Sequence, residues 1–246
     1  MKIEIKNNKG IIESIDQWPR PMRQNQWKDG RSALLLADFV LNPKSSPVFH
    51  ELIATVLKQC NIVEQGFVCE PEAKRGLGKD FGSGNRNHDL LMIGEQDCVI
   101  GIEAKVSEPF GNYSIDDIIV NGDTEGKRNR AEKLINTLAP NSYRDSKQKN
   151  YQLFTALQST LSCAEKSSEL KNIIFLVIVF TGDVLKEKNY EERCRNNNET
   201  FKSFLEYINA DKSGQILKDK PINCWVKKVE VEVDKNYKMA SVTNIR

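Results

Sequence analysis

Histidine is nearly missing: His50 and His88 are the only two in 246 residues. The six cysteines (60, 69, 98, 163, 194 and 224) come no closer than Cys60 and Cys69, so no CxxC element exists. Zinc fingers and His-rich metal sites are thereby excluded. A metal site would have to be built from carboxylates, which suit hard cations such as Mg²⁺. Long apolar runs are also lacking. The longest obvious one is the eight residues Ile173–Phe180, far short of the roughly 20 that span a bilayer, so no membrane association is expected. An excess of one charge is missing too: 36 Lys+Arg against 34 Asp+Glu leaves +2. That argues against a broad basic coat for nucleic acid and allows only a local groove. The opening Met1–Lys6 alternates charge with isoleucine and carries no signal-peptide core. The scattered cysteines then read as reduced thiols in a cytoplasmic protein, serving as buried apolar residues.

The remaining composition, 39% hydrophobic and 28% charged, is that of a globular chain with a substantial core. A strand is expected at 2–6 and an irregular lead-in at 17–31. A helix from an N-cap at Ser32 to Leu41 follows, then a second helix over 47–60 with Phe49, Ile53, Val56 and Leu57 in step. A strand fits 62–69 and ends near Pro71. The glycine-rich, charged stretch 74–87 reads as a loop. Asp89–Ile93 and Cys98–Val106 form a hairpin about a turn at 94–97. Residues 107–129 look irregular, and helices are expected at 131–138 and 148–164. The Ile173–Phe180 run suits a central strand covered on both faces. A helix at 199–208 and a strand at 224–233 complete a single α/β domain over 1–246, with a core at about 47–181 and extensions at 1–46 and 182–246.

Chemistry concentrates in the hairpin. Strand alternation puts Cys98, Ile100, Ile102, Ala104 and Val106 on one face, all apolar or small. Glu103 and Lys105 fall together on the other. Unpaired charge in so apolar a strand is costly to bury, and a divalent cation beside the acid would account for it. Symmetric pairing about the turn places Asp89 opposite Gly101 to Glu103. Two carboxylates and a lysine then converge, a set able to hold Mg²⁺, polarise a water and stabilise charge on a phosphate. The acid-x-lysine triplet alone means little, because it recurs at Glu4/Lys6, Glu72/Lys74, Glu125/Lys127, Asp145/Lys147 and Glu169/Lys171. Glu72-Ala73-Lys74 is set aside because Pro71 and the glycine-rich stretch speak against a buried strand there. The bland alternative for Asp89, Glu103 and Lys105 is a structural salt bridge across a hairpin, although buried ion pairs are poor stabilisers on their own.

Asp89 followed by Glu103-Ala104-Lys105 resembles the PD-(D/E)XK nuclease superfamily. The expected helix–strand–strand–strand–helix–strand order is similar to its restriction-endonuclease-like core (αβββαβ). His88 stands where that family has proline. The resemblance implies an α/β fold with a mixed sheet flanked by helices and a Mg²⁺-dependent nuclease, with Mn²⁺ able to substitute. Nucleic acid, DNA in the first place, would be the partner, and a homodimer is compatible. It further implies Asp89, Glu103, the Ala104 carbonyl and Glu51 as metal ligands, with Lys105 and Gln152 completing the catalytic set. Glu51 reads equally as a solvated helix residue or helix-dipole partner, Gln152 as an exposed helix position, and His88 as a hydrogen-bonded loop residue.

Basic residues follow the motif: Lys127, Arg128, Arg130, Lys133, Arg144, Lys147 and Lys149. A second basic stretch, Lys74, Arg75, Lys79 and Arg86, precedes Asp89. Arg75, Lys79, Arg86, Lys127, Arg128 and Arg130 are the candidates for phosphate contacts. Arg31, at a helix start, is placed to meet a phosphate or a core acid. The alternative to the nuclease is an inactive nucleic-acid- or protein-binding module on the same fold.

Overall fold

The computed structural model describes residues 1–20, 27–28, 30–111, 113–139, 150–167, 169–186, 188–216, 222–234 and 239–243. The chain opens with β1 (Lys2–Asn7) and β2 (Gly10–Ile11), then α1 (Ser32–Leu41) and α2 (Ser46–Gln59). Three long strands follow, β3 (Gly66–Gly76), β4 (Asn85–Gly94) and β5 (Cys98–Lys105). Helices α3 (Ile115–Asn121), α4 (Glu125–Leu138) and α5 (Tyr151–Glu165) lead to β6 (Asn172–Thr181). The C-terminal part adds α6 (Tyr190–Tyr207), β7 (Gln215–Ile216), β8 (Asn223–Val233) and β9 (Met239–Thr243).

The described strands form one mixed sheet in the order β2-β1-β3-β4-β5-β6-β8, with β7 and β9 both paired to β8. β4 runs antiparallel to β3 and β5, whereas β5, β6 and β8 are mutually parallel. Strand alternation in β6 explains the layering. Ile174, Leu176, Ile178 and Phe180 join a core with Phe39 of α1 and Phe49, Leu52 and Ile53 of α2. Ile173, Phe175, Val177 and Val179 join a second core with Leu134 of α4, Phe154 and Leu157 of α5 and Phe204 of α6. A strand covered on both sides must be apolar throughout, and Ile173–Phe180 is. No described helix is long and apolar enough to cross a membrane. All six cysteines are free, and five are buried.

Several expected boundaries are corrected. β3 runs through Pro71 to Gly76, and the loop before β4 shrinks to about 77–84. β1 accompanies β3 only as far as Cys69. Pro71 therefore sits where β3 has a partner on one side only, and its missing N–H can face away from the ladder. The irregular stretch 107–129 contains α3 and the start of α4. α4 opens on Thr124, whose Oγ accepts the Lys127 amide at 3.3 Å. Its first turns, Glu125–Arg130, hold no apolar residue, so hydrophobic periodicity could not reveal them. α6 starts at Tyr190, nine residues before the expected start at 199: Tyr190 and Cys194, one turn apart, are the only apolar residues before Phe201, and they pack on a different core from Phe201 and Phe204. Arg31, not Ser32, caps α1, and the Ser32 hydroxyl instead donates to Glu108.

α5 crosses β5 closely at Gly101. An added Cβ there would collide with Thr160 and lie 3.1 Å from His88 Cε1. Gly101→Ala is expected to cost about 1–3 kcal/mol by overpacking, read as a fall in the urea midpoint.

Candidate active site

The β4–β5 ladder pairs Leu90 with Ile102 and Leu91 with Gly101. Continuing that register brings Asp89 beside Glu103. Glu103 is 2% exposed and Lys105 8%. Both point away from the core that holds Ile100, Ile102 and Ala104, toward the layer of α5. Asp89 Oδ2 accepts the Ala104 amide at 2.7 Å. Its Oδ1 accepts no hydrogen bond among the described residues. Glu103 Oε1 accepts from Lys105 Nζ at 2.9 Å and from Gln152 Nε2 at 2.5 Å. Glu103 Oε2 accepts from Arg86 Nη2 at 2.5 Å. The Lys105 ammonium also lies 5.9 Å from the Phe110 ring centroid, a favourable contact for a buried cation.

Gln152 reaches Glu103 because Asn150 caps α5. The Asn150 side chain accepts the Gln152 and Leu153 amides at 3.0 and 3.2 Å, which fixes the first turn beside the sheet.

Two acids near the site were not among the expected ones. Glu72 lies in β3 at the position facing Asp89, between the paired couples Pro71–Leu90 and Ala73–His88. Its φ of 51° is left-handed, an uncommon conformation for a side chain other than glycine. It senses both Asp89 and Glu103 electrostatically. The signal for it was present in the letters: Phe67, Cys69, Pro71 and Ala73 alternate with Val68, Glu70 and Glu72, and the first set is buried. Glu108, just past β5, accepts the Val106 amide at 2.8 Å and acts on Lys105.

Burial shapes the charge states. Burial first, and then Glu103, pushes the Asp89 carboxyl up to about 7, against the pull of Lys105, the Ala104 amide and Arg86. Burial, then Asp89 and Glu103, lifts Glu72 to about 8. Burial alone would also lift Glu103, but Arg86 and Lys105 outweigh it and hold that carboxyl down at about 2. Burial would likewise lower Lys105, but Glu103 and Asp89 raise it overall, so the ammonium stays charged.

The other expected residues separate. Glu51 is exposed on α2, whose apolar stripe packs on the sheet face opposite the carboxylates. His88 is a buried strand residue, not a loop residue. Its Nε2 lies 3.1 Å from Ser159 Oγ, and burial, then Arg86, pushes it down to about 3, so it is neutral. Arg75 binds Glu70 at 2.5 Å. Lys127 pairs with Asp123 at 3.4 Å and lies over Tyr113, while Arg128 donates to the Gly122 carbonyl at 2.6 Å. Arg130 donates to the Phe81 carbonyl at 3.1 Å and so ties α4 to the β3–β4 loop. Lys79 is exposed in that loop. Arg31 is half-buried at the start of α1. Arg144, Lys147 and Lys149 lie outside the described residues.

The donor set fits a hard divalent cation. Two of the three neighbouring carboxyls are pushed toward the protonated form by burial and by one another. A cation beside them would reverse that pressure, and the ligand oxygens are all carboxylate or backbone, the type Mg²⁺ selects.

A family model described as Domain of unknown function (DUF6946) matches residues 11–233. No curated protein and no solved structure matches the chain.

Proposed function

The chain belongs to the DUF6946 family, and from its carboxylate–lysine site we propose a Mg²⁺-dependent phosphodiesterase acting on nucleic acid, DNA in the first place, on a restriction-endonuclease-like scaffold. One observation carries the reading: Asp89, Glu103 and Lys105 meet on one face of neighbouring strands, with Lys105 Nζ 2.9 Å from Glu103. The α2-β3-β4-β5-α5-β6 order, with α3 and α4 inserted between β5 and α5 and with β4 as the single antiparallel member of the β3–β6 and β8 set, supports the scaffold.

In this reading Asp89, Glu103 and the Ala104 carbonyl are the groups that would hold the cation. When bound, the cation lowers the pKa of a water and offsets charge on the phosphate. Lys105, kept charged by Glu103, orients the attacking water or stabilises the negative charge that builds on phosphate oxygen. Gln152 fixes the Glu103 carboxylate by holding Oε1. Lys79, exposed between β3 and β4, and Lys127, half-buried on α4, are the lysines that would meet the phosphate backbone.

A second reading, an inactive binding module, draws on Arg86, which already occupies Glu103 Oε2. The two separate in one assay. Incubation with linear and circular DNA should give cleavage in 5 mM Mg²⁺ or Mn²⁺ (about that concentration) and none in EDTA. Binding without cleavage in either metal would favour the inactive module.

A further inference from the structure

Arg86 does more than neutralise an acid. Its Nη2 sits 2.5 Å from Glu103 Oε2 while Lys105 and Gln152 hold Oε1. Three of about four lone-pair sites of the Glu103 carboxylate are therefore taken, and a cation approaching the remaining site on Oε2 would meet the positive Arg86 guanidinium at close range. Of the three, Lys105 is the most deeply buried, and Gln152 is anchored by the Asn150 cap at the start of its helix. Arg86 is the remaining donor. Its side chain keeps 22% of its exposure, and it lies one residue into β4, just after the 77–84 loop. Its Nε is buried without a hydrogen-bond partner. A guanidinium carries five donors in a fixed fork, so this group is incompletely satisfied where it stands. A phosphate offers the bidentate partner that a single carboxylate oxygen does not.

We propose that Arg86 and a divalent cation exclude each other at Glu103, and that the displaced guanidinium moves onto a phosphate of bound nucleic acid. The inference rests on the metal-dependent reading above. It makes Arg86 a latch that holds the acid in place until metal and substrate arrive together. It also turns the observation favouring an inactive module into a step of the active one.

The test is Mn²⁺ binding by calorimetry, with no nucleic acid present, on the wild-type chain and Arg86→Gln. The variant is expected to bind Mn²⁺ about tenfold or more tightly, because the competing cation is gone. In Ca²⁺ it should bind a DNA duplex several-fold more weakly, because the phosphate contact is gone. A purely structural Arg86 would leave Mn²⁺ affinity unchanged or weaken it, and either result overturns the latch. If neither protein binds Mn²⁺, the metal-dependent reading itself falls, a distinct outcome. Should Arg86→Gln fail to fold, Mn²⁺-soaked wild-type crystals decide. The Arg86–Glu103 contact is expected to open beyond hydrogen-bond reach when Mn²⁺ is bound. A contact retained alongside bound Mn²⁺ overturns the proposal.

Discussion

Asp89→Asn is expected to abolish Mg²⁺-dependent cleavage while leaving the fold intact. Asparagine keeps an oxygen to accept the Ala104 amide, so the 2.7 Å contact that positions residue 89 survives. What is lost is the anionic oxygen. Outer-shell partners of a metal typically contribute 10–100-fold in affinity or activity, so a direct ligand should cost more than about 100-fold. Asp89→Ala should be equally inactive, with an added stability penalty from the unpaired Ala104 amide. Gln152→Ala, which loosens Glu103 without removing an anion, should fall in the milder 10–100-fold range. The check is a time course on plasmid DNA with circular dichroism to verify folding. Cleavage by a folded Asp89→Asn at wild-type rates would end the assignment.

Without divalent metal, thermal stability is expected to be highest near pH 4–5 and to fall toward pH 8. The signs follow from the three carboxyls. Asp89 and Glu72 have folded values of about 7 and 8, above their ordinary 3.8 and 4.5. The native state therefore holds protons that the unfolded chain has released. Their contribution is present below about pH 4 and is lost as pH rises through 7 and 8. Glu103 runs the other way: its stabilising pairs are present above 4.5 and are lost as pH falls toward 2. Asp89→Asn removes one of the two contributions that decline as pH rises. It should melt several °C above wild type at pH 8 in EDTA, on a scale of about 2–4 °C per kcal/mol for a chain of this size. At pH 4 the two should coincide. Mg²⁺ should raise the wild-type melting temperature at pH 8, and Asp89→Asn should gain far less. Scanning calorimetry from pH 3 to 9, with and without Mg²⁺, measures both. A profile in which Asp89→Asn declines with pH as steeply as wild type would show that Asp89 is not held protonated by its surroundings.

Much of this was legible in the letters because strand periodicity is local. Ile173–Phe180 could only be a strand covered on both faces, and it is the central β6. Alternation in Cys98–Lys105 separated Glu103 and Lys105 from the apolar face without any knowledge of the partner strands. The short turn at 94–97 then placed Asp89 within a residue of its position beside Glu103. Gln152 was named only through the family resemblance, which implies a glutamine on the helix after the motif strands; its contact with Glu103 is a tertiary fact. Helices with sparse apolar residues in their early turns, none over Glu125–Arg130 in α4 and only Tyr190 and Cys194 before Phe201 in α6, left little apolar period to read.

By itself, then, the sequence determined the mixed α/β character, the central strand, and the acid–acid–lysine set on one face of a hairpin, because a two-residue repeat and a tight turn are short-range facts. Only the tertiary structure decided that β3 continues past Pro71 and carries Glu72 up to Asp89, that Arg86 closes on Glu103 Oε2, and that Glu51 lies across the sheet from the carboxylates. Each of these depends on which strand ends beside which and on where a strand becomes an edge. Those relations come from long-range pairing, and the free energy that selects them is summed over the whole buried core rather than written in any one segment.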